Sequence, residues 1–102
     1  MSYGYIETKK TLKDKDLILK SYSKLVKSKL EYFINDILDA PRDKNAIGNP
    51  EQLKHSNVEL WSRELTQKDQ IVYGIEAGDD YGMPEEDEIV VFYQYLGHYL
   101  DK

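Results

Sequence analysis

The chain of 102 residues contains no cysteine, and only three prolines and six glycines. Without cysteine it can form neither disulfide bonds nor thiolate metal sites, which is typical of proteins in a reducing cytoplasm. The longest unbroken apolar run has five residues, Ile89 to Tyr93, whereas a membrane-spanning helix needs about 20. The first residues, Met1 to Tyr5, lack the basic and then apolar pattern of a signal peptide. We therefore expect a cytoplasmic protein that does not enter a membrane.

The length of the chain limits what it can build. A chain of 102 residues is close to the commonest size of one domain. It buries only about two-thirds of the surface that the unfolded chain exposes, which leaves no room for a second domain or a large cavity. We therefore interpret residues 1–102 as a single domain.

Charge is distributed unevenly along the chain. The net charge is −5, yet residues 1–50 contain ten Lys and Arg against seven Asp and Glu, and residues 51–102 contain four against twelve. Eight lysines lie between Lys9 and Lys29. Such a cluster is either a basic face that meets nucleic acid or the solvated surface of a helix. The overall acidity opposes strong non-specific binding to phosphate, because that binding depends on Lys and Arg.

The first half of the chain has the pattern of one strand followed by two helices. Tyr3 to Glu7 predicts a short strand, and the Lys-rich residues 8–20 are weakly helical. Apolar residues then recur at steps of three and four, which is typical of one face of a helix. They are Tyr22, Leu25, Val26, Leu30, Phe33, Ile34, Ile37 and Leu38. Pro41 ends this helix, and a joint near residues 21–23 makes the two helices a hairpin.

The second half has the pattern of strands, after a loop at residues 42–50. Val58, Leu60 and Ser62 alternate with Glu59, Trp61 and Arg63, as in a half-buried strand. Asp69 to Ala77 predicts a second strand, and Glu88 to Tyr95 a third that is apolar on both faces and therefore interior. The acidic residues 78–87 form a hairpin loop whose spacing matches no calcium loop. Helices beside a small, mainly antiparallel sheet make an α+β domain, in which the helices cover one face and leave the other for a partner or substrate.

Four short motifs follow one another in the second half. They are Pro50-Glu51-x-Leu53-Lys54, Leu60-Trp61-Ser62-Arg63, Ile71-Val72-Tyr73 and Gly97-His98-Tyr99. In this order they resemble the YoeB/Txe branch of the RelE superfamily, the toxins of bacterial toxin–antitoxin pairs. The resemblance runs through most of the chain and is specific from about residue 47 onward. It implies the RelE-like fold, a cognate antitoxin as partner and a possible homodimer.

The resemblance also implies an activity, that of a ribosome-dependent endoribonuclease that cuts mRNA without a metal or other cofactor. In such a reaction the 2′-hydroxyl attacks the adjacent phosphorus, which requires a base, an acid and donors to the phosphoryl oxygens. By motif position Glu51 is the general base and His98 the general acid. Tyr99 orients the nucleotide, and Lys54 steadies the charge of the phosphate. Arg63 and Gln70 are the further candidate phosphate-binding residues.

Two positions depart from the family pattern, which has a second arginine directly after the position of Arg63 and another just before the Ile-Val-Tyr motif. Glu64 and Gln70 occupy these places. Glutamine has no charge and lacks the forked geometry that arginine offers to phosphate. Gln70 therefore predicts a slow nuclease, unless Arg63 or Lys68 reaches the phosphate instead. The alternative is a RelE-like binding module that has lost catalysis and mainly binds its antitoxin.

The residues considered alone leave the geometry open. Strand alternation puts Glu51 and Lys54 on opposite faces unless the chain bends near Leu53, and it separates His98 from Tyr99 unless the C-terminus leaves the sheet. Gly97 makes such a departure easy. Taken singly, Glu51 and His98 are better explained as exposed polar residues, and Lys54 has no distinguishing signal. Their occurrence together predicts a site at which one phosphate meets all of them.

Overall fold

The structure, a computed structural model, describes residues 3–54, 57–84 and 87–99. Its elements follow one another as strand, two helices and four further strands. They are β1 (Gly4–Glu7), α1 (Lys9–Ser21), α2 (Lys24–Asp39), β2 (Glu51–Leu53), β3 (Glu59–Glu64), β4 (Gln70–Ala77) and β5 (Glu88–Gln94), with a 3₁₀ turn (Gly78–Tyr81) between the last two strands.

The five strands form one sheet in the order β1-β5-β4-β3-β2. β1 pairs with β5 in parallel, and the other three pairings are antiparallel. This arrangement confirms the α+β class with a mainly antiparallel sheet, and it confirms that β5 is an interior strand. β2, with three residues, is a short edge strand.

The helical hairpin is defined by a capping residue before each helix. The Thr8 side chain accepts a hydrogen bond from the Thr11 N–H, and the Ser23 side chain accepts one from the Val26 N–H. Such caps satisfy backbone donors that have no partner within the helix. α1 ends at Ser21 and α2 begins at Lys24, so the joint lies where the sequence predicted it. In the described part of the chain, no helix is long and apolar enough to cross a membrane.

The two faces of the sheet differ in what covers them. The helix face of the sheet packs on α1 and α2 and contributes Trp61, Ile71, Tyr73, Ile75, Val90 and Phe92 to the buried core. Alternation along the strands puts the intervening residues on the opposite side, which we call the outer face. It carries Leu60, Ser62, Glu64, Gln70, Val72, Gly74 and Glu76. The outer face is partly covered by its own side chains, since Val72 and Ser62 are almost fully buried.

One residue of the predicted apolar stripe of α2 does not join the core. Leu25 is 76% exposed, whereas Leu30, Phe33 and Ile37 are buried. Successive helical residues are rotated by about 100°, so Leu25 lies on the flank of a stripe centred near Val26. The expectation that Leu25 packs inward was wrong for this reason.

The loop after α2 is bound to the far end of the sheet by one arginine. Arg42 donates to both carboxylate oxygens of Glu59 (2.8 and 2.9 Å) and of Glu88 (3.0 and 2.8 Å). The Arg42 hydrogen bonds lower the pKa of Glu59 and of Glu88 from their ordinary values. Next to it, the buried hydroxyl of Tyr73 donates to the carbonyl of Pro41 (2.7 Å). These contacts fix the start of the loop that leads into β2.

Candidate active site

The loop before β2 places Glu51 at the edge of the sheet. Gly48 and Asn49 both have positive φ angles, +85° and +48°, which are values that glycine and asparagine adopt most readily. The turn they form is held by the Glu64 N–H, which donates to the carbonyl of Gly48 (2.7 Å). Glu51 follows as the first residue of β2, and its side chain is exposed.

The strand register puts three of the relevant side chains on the outer face. Glu51 lies opposite Ser62, and Glu64 lies opposite Gln70; paired residues of antiparallel strands point to the same face. Neighbouring strands are about 4.8 Å apart, so β2 and β4 are separated by about 10 Å, and the register also offsets Glu51 from Gln70 by two residues, about 7 Å, along the strands. Side chains as long as glutamate and glutamine can contact a shared ligand that lies between them.

Lys54 lies directly after β2 and is exposed. β2 ends at Leu53 and the backbone bends at Lys54. Strand alternation, which would have put Glu51 and Lys54 on opposite faces of the sheet, therefore ends before Lys54. Such a bend is needed if the two side chains are to act at one site.

The residues after β5, 95–99, form a C-terminal tail that leaves the sheet. Gly97 has a φ angle of +93°, and its carbonyl accepts from the N–H of Gln70 (2.8 Å). Two residues further on, the N–H of Tyr99 donates to the side-chain oxygen of Gln70 (2.9 Å). The backbone of His98 lies between these two contacts. Gln70 thus holds the tail on both sides of His98, next to the outer face.

The tail with His98 and Tyr99 lies beside Gln70, at the end of the sheet where β2 begins with Glu51. His98 and Tyr99 are both exposed, Tyr99 by 38%, so that a ligand can reach them. Glu51 lies across β3 from Val72, and Gln70 lies two residues from Val72 along β4, on the same face of the sheet.

Arg63 does not belong to this region. It is completely buried, and its guanidinium donates to the carboxylate of Asp36 and to the carbonyl of Ala40 (3.1 Å), both on the helix face. This position contradicts the expectation that Arg63 binds phosphate, and it removes Arg63 as a substitute for the missing arginine at position 70. The ion pair instead joins α2 to β3. Arg63 is a structural residue because alternation along β3 turns it away from its neighbour Glu64.

Gln70 differs from an arginine in its hydrogen-bonding groups as well as in its charge. Its side-chain oxygen accepts the hydrogen bond from the Tyr99 N–H, and arginine has donors but no acceptor. The substitution therefore exchanges a cation for a group that orders the tail. No sequence pattern signals this contact, since the two residues are 29 positions apart.

Gln94 is a further polar residue that sequence reasoning missed. Its side-chain nitrogen donates to the carbonyls of Gln70 (3.2 Å) and Gly97 (3.1 Å), so that it joins β4 to the tail. Gln94 is itself 9% exposed. A buried amide at the end of an otherwise apolar strand was the available signal.

The local charge is mixed around this region. Glu51 and Glu64 bring two carboxylates to the outer face, while Lys54 and Lys68 are exposed. Lys68 lies in the turn between β3 and β4, where its N–H donates to the Thr66 hydroxyl (3.1 Å). Within residues 3–54, 57–84 and 87–99, no three His, Asp or Glu side chains are grouped so that they could hold a metal ion. Residues 85–86 of the acidic loop lie outside the described residues.

Solved structures of toxins share this fold. A YoeB/ParE toxin from Agrobacterium tumefaciens matches with a TM-score of 0.75 and 20% sequence identity, covering 94% of this chain and 99% of that one. A YoeB dimer from Staphylococcus aureus matches with a TM-score of 0.71 and 20% identity, covering 97% and 100%. The heterotetrameric YoeB–YefM toxin–antitoxin complex of Staphylococcus aureus matches with 0.68 and 19%, with the same coverage. No curated protein matches the chain.

Similarity in fold alone does not identify the family of the chain, but a match to a family model does. The model of the YoeB-like toxin of bacterial type II toxin–antitoxin systems matches residues 8–99. The match includes both helices, β2 to β5 and the tail with His98 and Tyr99. With its motifs, its fold and this match in agreement, the chain belongs to the family of YoeB-like toxins of bacterial type II toxin–antitoxin systems.

Proposed function

We propose that this toxin is a ribosome-dependent endoribonuclease that cleaves mRNA by attack of the 2′-hydroxyl, with no metal cofactor. The observation that carries the proposal is the convergence on the outer face. Gln70 holds the tail through Gly97 and Tyr99, and the register places Glu51 on the same face of the sheet. A base, an acid and an aromatic side chain are thereby available to one nucleotide.

The chemistry requires two proton transfers. Glu51 takes the proton of the 2′-hydroxyl while the oxygen attacks the adjacent phosphorus. His98, as an imidazolium, gives a proton to the 5′-oxygen as its bond to phosphorus breaks, since imidazole changes charge near neutral pH. The products are a 2′,3′-cyclic phosphate on the upstream fragment and a free 5′-hydroxyl on the downstream fragment.

Stabilisation of the phosphate is the weak part of this site. Lys54 supplies a charge, and the side-chain nitrogen of Gln70 supplies a neutral donor, while Tyr99 orients the nucleotide. Loss of one strong donor at such a site typically costs about 10²–10³ in rate. Because Arg63 is held in the ion pair with Asp36, it does not replace that donor, and we propose a nuclease of low intrinsic rate.

The partners follow from the family and from the similar structures. We propose that a cognate antitoxin binds this chain, as YefM binds YoeB in the Staphylococcus aureus complex. A homodimer is proposed by analogy with the YoeB dimer of the same organism. Both the ribosome with its mRNA and the antitoxin would meet the toxin in the cytoplasm.

A second function is favoured by Glu64. It is an anion directly opposite Gln70, where the family pattern has a cation, and it lies between Glu51 and the tail. The Glu64 carboxylate repels the negatively charged phosphate of RNA. This repulsion favours a binding module that keeps the fold and binds its antitoxin but cleaves little RNA.

Growth on induced expression separates the two functions. We expect arrest by the wild type, relief by Glu51→Ala and by His98→Ala, and full arrest by the control Glu31→Ala, which removes an exposed carboxylate of α2. Arrest that persists in both variants would show that these residues do not cleave RNA. Normal growth with well-folded wild-type protein would favour the binding module.

A further inference from the structure

The backbone of the C-terminal tail is held by two acidic side chains that the proposed chemistry does not use. Three successive N–H groups, those of Tyr95, Leu96 and Gly97, donate to the carboxylates of Asp14 and Asp69. We propose that Asp14 and Asp69 are positioning residues that keep His98 and Tyr99 beside Gln70. The importance of that position rests on the proposed function, whereas the order of the tail does not.

Asp14 reaches the tail from α1. One of its oxygens accepts from the N–H groups of Tyr95 (3.0 Å) and Leu96 (3.1 Å), and Asp14 is only 8% exposed. Lys10 balances its charge at 2.9 Å and also donates to the carbonyl of Leu96 (3.3 Å). Hydrogen bonds to an ionised acceptor are about twice as strong as those between neutral groups.

Asp69 reaches the tail from the turn between β3 and β4. One oxygen accepts from the N–H of Gly97 (2.9 Å), and the other accepts from the Thr66 hydroxyl (2.7 Å). Asp69 is also 8% exposed. The Thr66 contact fixes the carboxylate, so that it presents a single oxygen to the tail.

These contacts can affect His98 and Tyr99 because they lie immediately before them in the tail. The tail has left β5 and keeps one backbone hydrogen bond to the sheet, from the Gln70 N–H to the Gly97 carbonyl. Gly97 at φ +93° permits conformations that other residues rarely adopt. Side chains from α1 and from the turn therefore select one conformation. His98 and Tyr99 follow immediately, and the Tyr99 N–H is bound by the side chain of Gln70.

The experiment is NMR on the purified toxin, comparing the wild type with Asp14→Ala, Asp69→Ala, Asp14→Asn and the control Asp16→Ala. Asp16 is an exposed carboxylate of α1 that pairs with Lys20. The readouts are the amide exchange of Tyr99 and the ring shifts of His98, because neither group contacts Asp14 or Asp69. A purely local loss of contacts would change residues 95–97 alone.

We expect Asp14→Ala and Asp69→Ala each to speed Tyr99 amide exchange by about tenfold or more relative to the β4 amides, because residues 95–97 lose a carboxylate that holds them and the Tyr99 N–H then separates from Gln70 more often. The His98 ring shifts should move toward random-coil values. Asp14→Asn keeps an acceptor oxygen and should restore most of the protection, and Asp16→Ala should match the wild type. If Asp14→Ala does not fold, Asp69→Ala tests the same tail from the other side.

The proposal is overturned if Tyr99 and His98 stay unchanged in folded Asp14→Ala and Asp69→Ala. It is equally overturned if Tyr99 loosens only in parallel with β4, or if Asp14→Asn is as loose as Asp14→Ala. The readout needs neither RNA nor ribosomes. A toxin that orders its tail but cuts no RNA would therefore contradict the proposed function alone.

Discussion

The two faces of the sheet differ in how they accommodate charged side chains that are neighbours in the sequence. On β3, Arg63 points to the helix face and is fully buried in an ion pair with Asp36, while Glu64 points to the outer face and is exposed. The helix face is fixed by packing around apolar side chains, and the outer face near the tail is fixed by hydrogen bonds to Gln70. A charged residue within a motif can therefore act at the outer-face site only if its side chain points to the outer face.

The largest expected difference between the faces is in stability. Arg63→Ala should lower the free energy of unfolding by about 3–5 kcal/mol, because it breaks a buried ion pair and leaves Asp36 without its partner. Glu64→Ala, at the adjacent exposed position, should change it by about 0.5 kcal/mol or less. Urea denaturation of both variants measures the contrast. Equal losses of unfolding free energy in the two variants would mean that Arg63 and Glu64 are assigned to the wrong faces of the sheet.

A second expected difference concerns Gly48, which lies in the loop between α2 and β2 and packs between α2 and β3. A Cβ at Gly48 would lie 2.5 Å from a ring carbon of Phe33, whereas one at Gly82 would meet nothing within 4 Å. Both have positive φ, +85° and +80°, so backbone strain is matched. Gly48→Ala should cost about 1–3 kcal/mol more than Gly82→Ala, as overpacking does. Similar melting temperatures for the two variants would contradict this packing of the helix face.

Gln70 offers a test of the outer face alone. Gln70→Arg supplies the missing cation but cannot accept the Tyr99 N–H. We expect cleavage on translating ribosomes to rise by about tenfold, less than the roughly 10²–10³ that such a donor usually contributes, while Tyr99 amide exchange speeds up. Gln70→Ala should lower the rate and loosen the tail together. A wild type already as fast as Gln70→Arg would remove the case for a weakened site.

The smallest expected effect is that of Arg42, at the other end of the sheet. Arg42 lowers the pKa of Glu59 and Glu88 in the folded protein, so these carboxylates stabilise the fold above their unfolded pKa of about 4.3. That contribution is lost as pH falls through their lowered folded pKa values. Because the groups are partly exposed, Arg42→Ala should cost only about 1 kcal/mol or less. The difference from the wild type should shrink in acid and in high salt; a pH-independent loss would contradict it.

The sequence predicted most of the fold because its signals are local. The period of α2, the stop at Pro41 and the alternation along β4 each lie within a few residues. The alternation also located β3, but it did not say which side meets the helices. Trp61 and Arg63 lie on that side, and this is why the role expected of Arg63 was wrong.

The candidate site was predicted only through the resemblance, and its supports were not predicted at all. Glu51, His98 and Tyr99 are individually unremarkable polar residues, and only their order within four motifs marks them. The contacts that order the tail join residues far apart, such as Asp14 and Tyr95, 81 positions from each other. Hydrogen bonds of that range leave no periodic trace in a sequence.

The chemistry of the cut ends tests the central claim most directly. Translating ribosomes are incubated with the wild type, Glu51→Ala, His98→Ala and the control Glu31→Ala, and both ends of each mRNA fragment are identified. We predict a 2′,3′-cyclic phosphate and a 5′-hydroxyl for the wild type and for Glu31→Ala, with cleavage reduced by about 10²–10⁴ in the other two. A 3′-hydroxyl with a 5′-phosphate, or wild-type rates in both Glu51→Ala and His98→Ala, would contradict catalysis on the outer face.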